Sequence, residues 1–472
     1  MLANLPRSLP AVLHGVALTV LFVLLGSTMV SMSVDLAAHY QLTHEIMSHG
    51  FIRPDATELG PMLMYPPLSH WIAAVVGWLT GSGLVALWLI SITAIYLGYV
   101  AILHALGSDG DLGGIVIFAI TFAALKSSHA LLGQEVIGNF FYPQLIATVF
   151  YLAALSFAIC RKLPLKHIVV LTAAAAPVLF WTQPLVAMHL ATAAIVFLAA
   201  DGICIYRRQC QIEPLILFSI PVLALEVFLL TQLPKVAALM SYASNNGALE
   251  FNFPRHAYAI PFAICTAISL ANLALGMRSW PDGYARRIFG SAGTAAGALS
   301  FLQLLALVGF GAGSPYAVKK HGFLIVTLGA ANLAQLIGGL LPRRENKPLV
   351  TYLAIILAFA GTLSICRTRS WANVADVIAA SRFADHYAQT SPQFEPNTVS
   401  SAISSFHPTL NLLISWVSFD RDWNQTAQYY GKIDPTARYV LIERQALAAQ
   451  SCAVAENSHY AIAPPSCIKT AR

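Results

Sequence analysis

Long apolar runs occupy most of this chain, and short polar segments separate them. A hydrocarbon core about 30 Å thick needs about 20 apolar residues in one helix, so each run has the length of a transmembrane helix. Charged residues make up 10% of the 472 residues, against about 25% in an ordinary soluble protein. A chain with so few charges cannot cover a surface that faces water on all sides. We therefore predict an all-α polytopic membrane protein that lies in a lipid bilayer.

About eleven segments fit this length, and together they predict a membrane domain over residues 1–366. They lie at 10–34, 84–106, 114–130, 141–160, 167–184, 185–206, 214–232, 258–276, 288–313, 321–341 and 348–366. With the N-terminus in the cytoplasm, the inner loops contain about twice as many Lys and Arg residues as the outer ones. An odd number of spans then places the C-terminus outside, whereas one span more or fewer would invert part of this pattern.

Residues 367–472 have the composition of a small soluble domain rather than of a membrane span. Several X-Pro turn signals divide this segment, and RYVLIE (438–443) reads as a strand, so we predict a small α/β domain outside the cytoplasm. On that side of the membrane, Cys452 and Cys467 could form a disulfide that closes a short loop. In the cytosol they would be two unpaired thiols.

A long outer loop, residues 35–83, follows the first span. It contains the apolar stretch YPPLSHWIAAVVGWLTG from Tyr65 to Gly81, which begins with two prolines and is too short and broken to span the membrane comfortably. Trp71 and Trp78 are seven residues apart and share one helix face. Because Trp favours the membrane interface, this stretch predicts an amphipathic helix that lies in the plane of the interface.

The first residues of this loop, VDLAAHYQLTHEIMSHG (34–50), concentrate titratable side chains. Asp35 and His39 are four residues apart and share a helix face. Histidines 39, 44 and 49 follow one another at intervals of five residues. On a regular helix each interval turns the side chain by about 140° around the axis, so the three rings do not point toward one common site. Asp35 and His39 could supply two ligands to a divalent cation, but a full metal site needs further residues. The simpler alternative is an acidic residue that ends a helix in solvent.

Basic residues at two outer membrane edges run against the positive-inside trend. GSPYAVKKHGF contains Lys319, Lys320 and His321, and a second outer loop contains Arg255. Such cations could bind a phosphate, since positioned cations stabilise negative charge. Contact with anionic lipid head groups is the alternative explanation.

Two carboxylates complete the set of candidates. Glu135 is the only carboxylate in the outer loop KSSHALLGQEVIGNFFYPQ, where it either joins a site or pairs with Lys126. Glu226 lies inside a predicted span, where a carboxylate is costly and usually functional or paired. It could line a cavity or belong to a transporter's proton path. His189 is a possible partner of Glu226, although a buried core histidine is the simpler interpretation.

The first outer loop resembles that of the GT-C membrane glycosyltransferases, which include the protein O-mannosyltransferases and the lipid A aminoarabinose transferases. The shared features are a first span that ends in Asp, the pattern D-x-x-x-H-Y, an HG about ten residues later, and YPPL before an amphipathic helix. The matching residues are Asp35, His39, Tyr40, His49, Gly50, Tyr65, Pro66, Pro67 and Leu68. The resemblance extends loosely over the whole chain.

This resemblance implies transfer of a sugar from a polyprenyl-phosphate donor to a lipid, glycan or protein acceptor at the outer face. Asp35 matches the family's catalytic carboxylate, which would take the proton of the acceptor hydroxyl, with inversion at the anomeric carbon. We expect Glu135 and His39 to support it, although the family commonly has Asp or an Asp/Glu pair at the place of Glu135. The remaining candidates divide into two groups: Lys319, Lys320, His321 and Arg255 for the donor phosphate, and Tyr65, Glu226 and His49 for the acceptor cavity.

Other classes of membrane protein stay open from the sequence. A transporter or flippase of a lipid-linked sugar or small anion would use Glu226, and inverted repeats, of which we see no convincing example, would favour it. A polysaccharide ligase or polymerase is a further alternative, with its basic residues expected in a late loop. The basic residues do not cluster as in nucleic-acid-binding proteins. We expect a bacterial inner membrane, with the C-terminal domain outside the cytoplasm.

Overall fold

The computed structural model describes residues 9–25, 34–108, 112–211, 213–234, 256–340, 374–422, 427–429 and 432–469. Helices dominate these residues. In chain order they are α1 (Leu9–Leu25), α2 (Val34–His49), α3 (Leu68–Thr80), α4 (Gly83–Gly107), α5 (Leu112–Ala124), α6 (Gln134–Asn139), α7 (Tyr142–Arg161), α8 (Leu165–Phe180), α9 (Pro184–Gln209), α10 (Pro214–Thr231), α11 (His256–Arg278), α12 (Tyr284–Phe310), α13 (Pro315–Gly338), α14 (Val374–Thr390) and α15 (Pro408–Ser418).

Seven helices of the described part are long and apolar enough to cross a membrane, and they identify the chain as an integral membrane protein. They are α4, α7, α9, α10, α11, α12 and α13, and each coincides with a predicted span. Three other predicted spans form the shorter apolar helices α1, α5 and α8. The predicted span 348–366 lies outside the described residues. The count of eleven spans therefore stays a prediction.

Helix α13 is the most enclosed of these seven helices, and α5, α11 and α12 pack against it. Small residues on α12 let its backbone approach α11 closely. A Cβ atom at Gly290 would meet the backbone of Leu273, and one at Gly297 would meet the side chain of Thr266. Close contacts of this kind stabilise helix pairs in membranes, where the hydrophobic effect between helices is weak. Among the described helices, α10 packs mainly against α8 and α9, and it is the least enclosed of the seven long helices.

Helices α2 and α3 follow α1 and pack against each other and against α4. Helix α3 confirms a helix within Tyr65–Gly81, whereas its position in the membrane interface stays a prediction. It ends at Gly81 with φ of 74°, a left-handed conformation that favours glycine. The rings of Trp71 and Trp78 lie 6.5 Å apart, and Nε1 of Trp78 donates to the backbone carbonyl of Met47 at 3.0 Å. This contact ties α3 to the C-terminal half of α2.

The C-terminal region contains a small sheet beside α14 and α15. Its strands are β1 (Val399–Ser401), β2 (Tyr439–Glu443), β3 (Ala455–Glu456) and β4 (Tyr460–Ala463), in the spatial order β1-β2-β4-β3. β1 pairs in parallel with β2, and the other two pairs are antiparallel. Strand β2 confirms the strand predicted at 438–443. The predicted disulfide is also confirmed, with 5.8 Å between the Cα atoms of Cys452 and Cys467. The proposed domain boundary at 366–367 lies outside the described residues.

A buried hydrogen-bond network attaches the C-terminal region to helix α2. The Tyr40 hydroxyl donates to Oδ1 of Asp385 at 2.7 Å, and the Ser418 hydroxyl donates to the same oxygen at 2.6 Å. Nδ1 of His44 lies 3.8 Å from that oxygen. Tyr40 follows His39 directly in sequence, so this network helps to set the position of the helix that carries the first candidate residues.

Candidate functional site

The N-terminal turns of α13 place an aromatic ring beside an ammonium group. Ser314 caps this helix by accepting from the backbone N–H of Ala317 at 3.2 Å. Tyr316 and Lys320 are four residues apart and share one face. Nζ of Lys320 lies 4.3 Å from the centroid of the Tyr316 ring and 5.1 Å from that of Phe141, within the range of a cation–π contact.

Asp35, in the first turn of α2, lies against this face of α13. The Tyr316 hydroxyl donates to Oδ2 of Asp35 at 3.1 Å, and the Lys320 charge acts on the same carboxyl. Burial raises the pKa of Asp35, and Lys320 and Tyr316 offset only part of that rise. The structure therefore brings together Asp35 and Lys320, two predicted site residues that are far apart in sequence. A carboxyl group with a raised pKa beside a cation is suited to accept a proton.

Aromatic rings surround His39, one helical turn from Asp35 on α2. Tyr65 lies close enough for the Asp35 charge to raise its pKa, in addition to the larger effect of burial. The centroid of the His39 ring lies 5.6 Å from that of Tyr65, 6.1 Å from that of Phe140 and 6.2 Å from that of Tyr142. These rings form an apolar wall around His39 of the kind that sugar and lipid ligands contact.

His39 is paired with a histidine that the sequence interpretation did not select. Nδ1 of His39 lies 2.9 Å from Nε2 of His70, and both side chains are buried. Burial lowers the pKa of both, that of His70 to about 3, so the pair is neutral at physiological pH. One signal could have identified His70: it stands in an apolar stretch just after YPPLS, where a polar ring needs a partner.

Glu135 is fully buried on the short helix α6, which contacts both α2 and α13. Its Oε2 accepts from the backbone N–H of Gly133 at 2.6 Å, and Oε1 has no hydrogen-bond partner among the described residues. Burial raises the pKa of Glu135 to about 8, so this carboxyl is largely protonated at neutral pH. The side chain of Lys126, its alternative partner, lies outside the described residues.

The protonation of Glu135 makes stability depend on pH. Unfolding exposes a carboxyl with an ordinary pKa of 4.5, so between pH 4.5 and about 8 unfolding releases a proton and the free energy of unfolding falls as pH rises. Glu135→Gln removes this effect. At pH 9 we expect its free energy of unfolding to exceed that of the wild type by on the order of a few kcal/mol, and its Tm to be higher, whereas at pH 4.5 the two should have similar Tm values. Thermal melts in detergent at both pH values measure this difference.

The exposed Glu395 provides the matched control for that measurement. Glu395→Gln removes one carboxylate of the same type from an exposed position, so its Tm should follow that of the wild type at both pH values. Equal melting curves of Glu135→Gln and the wild type at pH 9 would contradict a protonated, buried Glu135.

Two predicted residues lie away from Asp35. His49 is in the last turn of α2, about 20 Å along the helix axis from Asp35, and its Nδ1 is 3.2 Å from Oε2 of Glu45. Glu45 also binds Arg53, whose Nε donates to its Oε1 at 2.7 Å. Glu226 lies half-buried on α10, and no hydrogen bond or ion pair joins it to another residue in the described ranges.

The remaining predicted cations differ in their surroundings. Nδ1 of His321 lies 3.0 Å from Nε2 of His189 on α9, and both side chains are buried, so His189 pairs with His321 rather than with Glu226. Lys319 is half-buried beside Lys320 on α13. Arg255 lies outside the described residues. Within those residues, no group of three or more His, Cys, Asp or Glu side chains is arranged to hold a metal ion.

The site can perform three chemical tasks. Asp35, held by the Tyr316 hydroxyl, can accept a proton, Lys320 can stabilise an anion beside it, and the neutral His39 can accept or donate a hydrogen bond. The fold and these residues define an integral membrane protein with a polar site at the end of its most enclosed long helix. No family model, curated protein or solved structure matches the chain. The function therefore has to be argued from the site itself.

Proposed function

We propose that this protein is a membrane glycosyltransferase that moves a sugar from a polyprenyl-phosphate donor to a lipid, glycan or protein acceptor. The observation that carries the proposal is the contact between Asp35 at the start of α2 and the face of α13 that bears Tyr316 and Lys320. This contact places a base and a cation side by side, as the transfer of a sugar from a phosphate requires. The resemblance of the first outer loop to GT-C enzymes supports the same reaction.

The proposed step uses Asp35 as the general base. The acceptor oxygen attacks the anomeric carbon while its proton passes to the Asp35 carboxylate. The bond between the anomeric carbon and the phosphate oxygen breaks, and polyprenyl phosphate leaves with the bonding electrons from the opposite face, which inverts the anomeric configuration. Lys320 stabilises the negative charge on the phosphate as it grows, while the Tyr316 hydroxyl keeps its hydrogen bond to Asp35.

The other candidates take supporting roles in this proposal. Lys319 lies next to Lys320 in sequence and Arg255 belongs to a second predicted outer loop, so these two cations would contact the donor phosphate, and His321, which pairs with His189, would support them from α13. Tyr65 and His39 would line the acceptor side of Asp35, with Glu135 on α6 behind them. His49 and Glu226 would contact only the distal parts of a large substrate.

The proposed orientation has the N-terminus in the cytoplasm and the site at the outer face of a bacterial inner membrane. The disulfide between Cys452 and Cys467 supports it, because disulfides persist in oxidising compartments and are rare in the cytosol. The network between Tyr40 and Asp385 places α2 and the C-terminal region together. The site would therefore face the compartment in which lipid-linked sugars serve as donors.

A transfer assay with the purified, reconstituted protein and radiolabelled polyprenyl-phosphate sugars tests this proposal. We expect the wild type to form a labelled acceptor product, and Lys320→Met to lower kcat by about 10²-fold because the leaving phosphate loses its cation. Lys320→Arg keeps the charge and should recover part of the rate.

Glu226→Gln is the control that separates a transferase from a transporter. Glu226 is half-buried on α10, which packs mainly against α8 and α9 among the described helices, so its replacement should change the transfer rate by less than about twofold. Two results together would contradict the proposal and identify a transporter. The wild type would transfer sugar from no donor, and it would carry lipid-linked sugar into liposomes in a flux that Glu226→Gln abolishes.

A further inference from the structure

An apolar recess lies between α7, α8 and α9, and none of its lining residues belongs to the site around Asp35. Thr172 contributes the only polar side chain of its wall. Four alanines in the wall leave space that longer side chains would fill: Ala154, Ala158, Ala193 and Ala194. A wall with so few polar groups is suited to a hydrocarbon chain rather than to a polar ligand, which would lose its hydrogen bonds there.

The recess opens between α7 and α8. Most of its lining side chains are buried, but Ala154 on α7 and Leu171 on α8 are only partly buried, which marks the opening. Tyr284 lies at the end nearest the loop between these helices. Its hydroxyl donates to the backbone carbonyl of Leu163 at 2.8 Å, and the Phe197 ring packs against its ring. The recess is therefore a slot that is open toward the lipid and closed by Tyr284 at one end.

Cations stand at this end of the slot, on the face of α7 that lines it. Arg161 follows Ala158 by three residues and Ala154 by seven, so the three residues share one helix face. At about 1.5 Å per residue, Arg161 lies about 4.5 Å beyond Ala158 and about 10.5 Å beyond Ala154 along the helix axis. Lys162 comes next, and both cationic side chains are exposed. The loop sequence RKLPLK, residues 161–166, contains a third cation, Lys166, and no carboxylate.

This arrangement matches the two parts of an anionic phospholipid. The positive charges of Arg161 and Lys162 complement the charge of its phosphate, and the slot begins within one helical turn of Arg161, where an acyl chain would enter it. The positive-inside rule explains basic residues in a predicted inner loop. It does not explain an apolar slot that begins on the same helix face as the cations.

We propose that this part of the protein binds an anionic phospholipid, with the phosphate at Arg161 and Lys162 and one acyl chain in the slot between α7 and α8. Basic pockets between membrane helices bind anionic head groups by the same attraction. The inference does not rest on the proposed glycosyltransferase function, because none of these residues takes part in the transfer step.

Native mass spectrometry of the full-length protein in detergent measures the head-group preference. The probes are palmitoyl-oleoyl phosphatidylglycerol and palmitoyl-oleoyl phosphatidylcholine, which have the same acyl chains and differ in net charge. We expect the wild type to bind phosphatidylglycerol with the lower Kd. Arg161→Gln should raise this Kd about fivefold, as the loss of one cation near an anionic head group predicts, and should change the Kd for phosphatidylcholine less.

Arg278→Gln is the matched control for the charge. Arg278 is exposed in the last turn of α11, as Arg161 is in the last turn of α7, but no residue of α11 lines the recess. Both substitutions remove one positive charge from a predicted inner loop. The Kd of Arg278→Gln for phosphatidylglycerol should stay within about twofold of the wild-type value, because a charge outside the site is screened.

A second pair of variants tests the position of the acyl chain. Ala154→Leu fills part of the slot from α7 and should weaken the binding of both lipids by about tenfold, because fewer CH₂ groups are then buried. Ala153→Leu adds the same atoms at an exposed neighbouring position outside the recess and should leave both Kd values unchanged. Leu171→Trp narrows the opening from α8 and serves the same purpose if Ala154→Leu does not fold.

Three results would each overturn the inference. The first is an equal Kd of the wild type for the two lipids. The second is an equal loss of phosphatidylglycerol binding in Arg161→Gln and Arg278→Gln, which would indicate attraction to a diffuse basic surface. The third is unchanged lipid binding in a folded Ala154→Leu or Leu171→Trp variant. A protein that shows the expected lipid preferences but transfers no sugar would contradict the proposed function alone.

Discussion

The Asp35→Asn variant should lose about 10²- to 10⁴-fold in transfer rate while it folds like the wild type. The loss follows because an amide cannot take the proton of the attacking hydroxyl. The fold should persist because the Asn side-chain oxygen can still accept the hydrogen bond from Tyr316 that Asp35 accepts at 3.1 Å. Steady-state kinetics with a lipid-linked donor should show this loss in kcat, with a smaller change in the KM for the donor.

The pH dependence of the reaction provides an independent measure of Asp35. Burial raises the pKa of this carboxyl above its ordinary value of 3.8, and only the ionised form accepts a proton. The rate should therefore rise with pH through this raised pKa. Asp55→Asn, which removes an exposed carboxylate from the same outer loop, is the matched control and should keep the wild-type rate. Full activity of a folded Asp35→Asn variant would rule out the proposed mechanism.

Arg421→Met should lower the free energy of unfolding of the C-terminal region by about 3–5 kcal/mol. Arg421 is buried, and its Nη2 donates to Oδ2 of Asp434 at 2.6 Å and to the Thr436 hydroxyl at 2.7 Å. Removal of the guanidinium leaves the charge of the buried Asp434 carboxylate without a cation. The free-energy cost of this unpaired buried charge exceeds the stabilisation that the apolar Met side chain gains by burial. Hydrogen exchange of the β2 amides in the full-length protein measures the change.

Arg444→Met provides the comparison for this buried pair. Nε of Arg444 lies 3.0 Å from Oε2 of Glu456, and both side chains are about one-third exposed. Exposed ion pairs contribute about 0–1 kcal/mol, so exchange from the β2 amides should change little. Equal effects of the two substitutions would show that burial of Arg421 does not determine the stability of this region.

The Arg421 experiment also reports on the candidate site. Asp385 and Ser418 of the C-terminal region bind the Tyr40 hydroxyl on α2, the helix that carries Asp35 and His39. Partial unfolding of this region in Arg421→Met would remove one support of α2. Arg421→Met changes no residue of the candidate site. A lower transfer rate in this variant would therefore indicate that α2 had shifted.

Local properties of the chain predicted its elements well. Seven apolar runs are long helices of the structure because the length of a hydrophobic run is read directly along the chain. The strand at 438–443 and the helix within Tyr65–Gly81 follow from patterns of a few residues, and the structure contains both. The predicted topology places Lys319 and Lys320 on the outer side, where basic residues are rare, and this made them candidates; Lys320 lies beside Asp35.

The partners of the polar side chains could not be predicted in this way. His39 pairs with His70, which is 31 residues away on another helix, and His321 pairs with His189 at a separation of 132 residues. Both pairs depend on how two helices pack, and hydropathy contains no information on which faces meet. His49 looked like part of the first cluster in sequence, but the length of α2 separates it from Asp35.

The sequence by itself determined that the chain is a helical membrane protein, and it placed Asp35 and His39 on one helix face, because hydropathy and the 3.6-residue period are local properties. Only the tertiary structure decided that Tyr316 and Lys320 lie beside Asp35 and that His39 meets His70. These contacts join elements from distant parts of the chain. Their geometry depends on the packing of whole helices and not on any short pattern within the sequence.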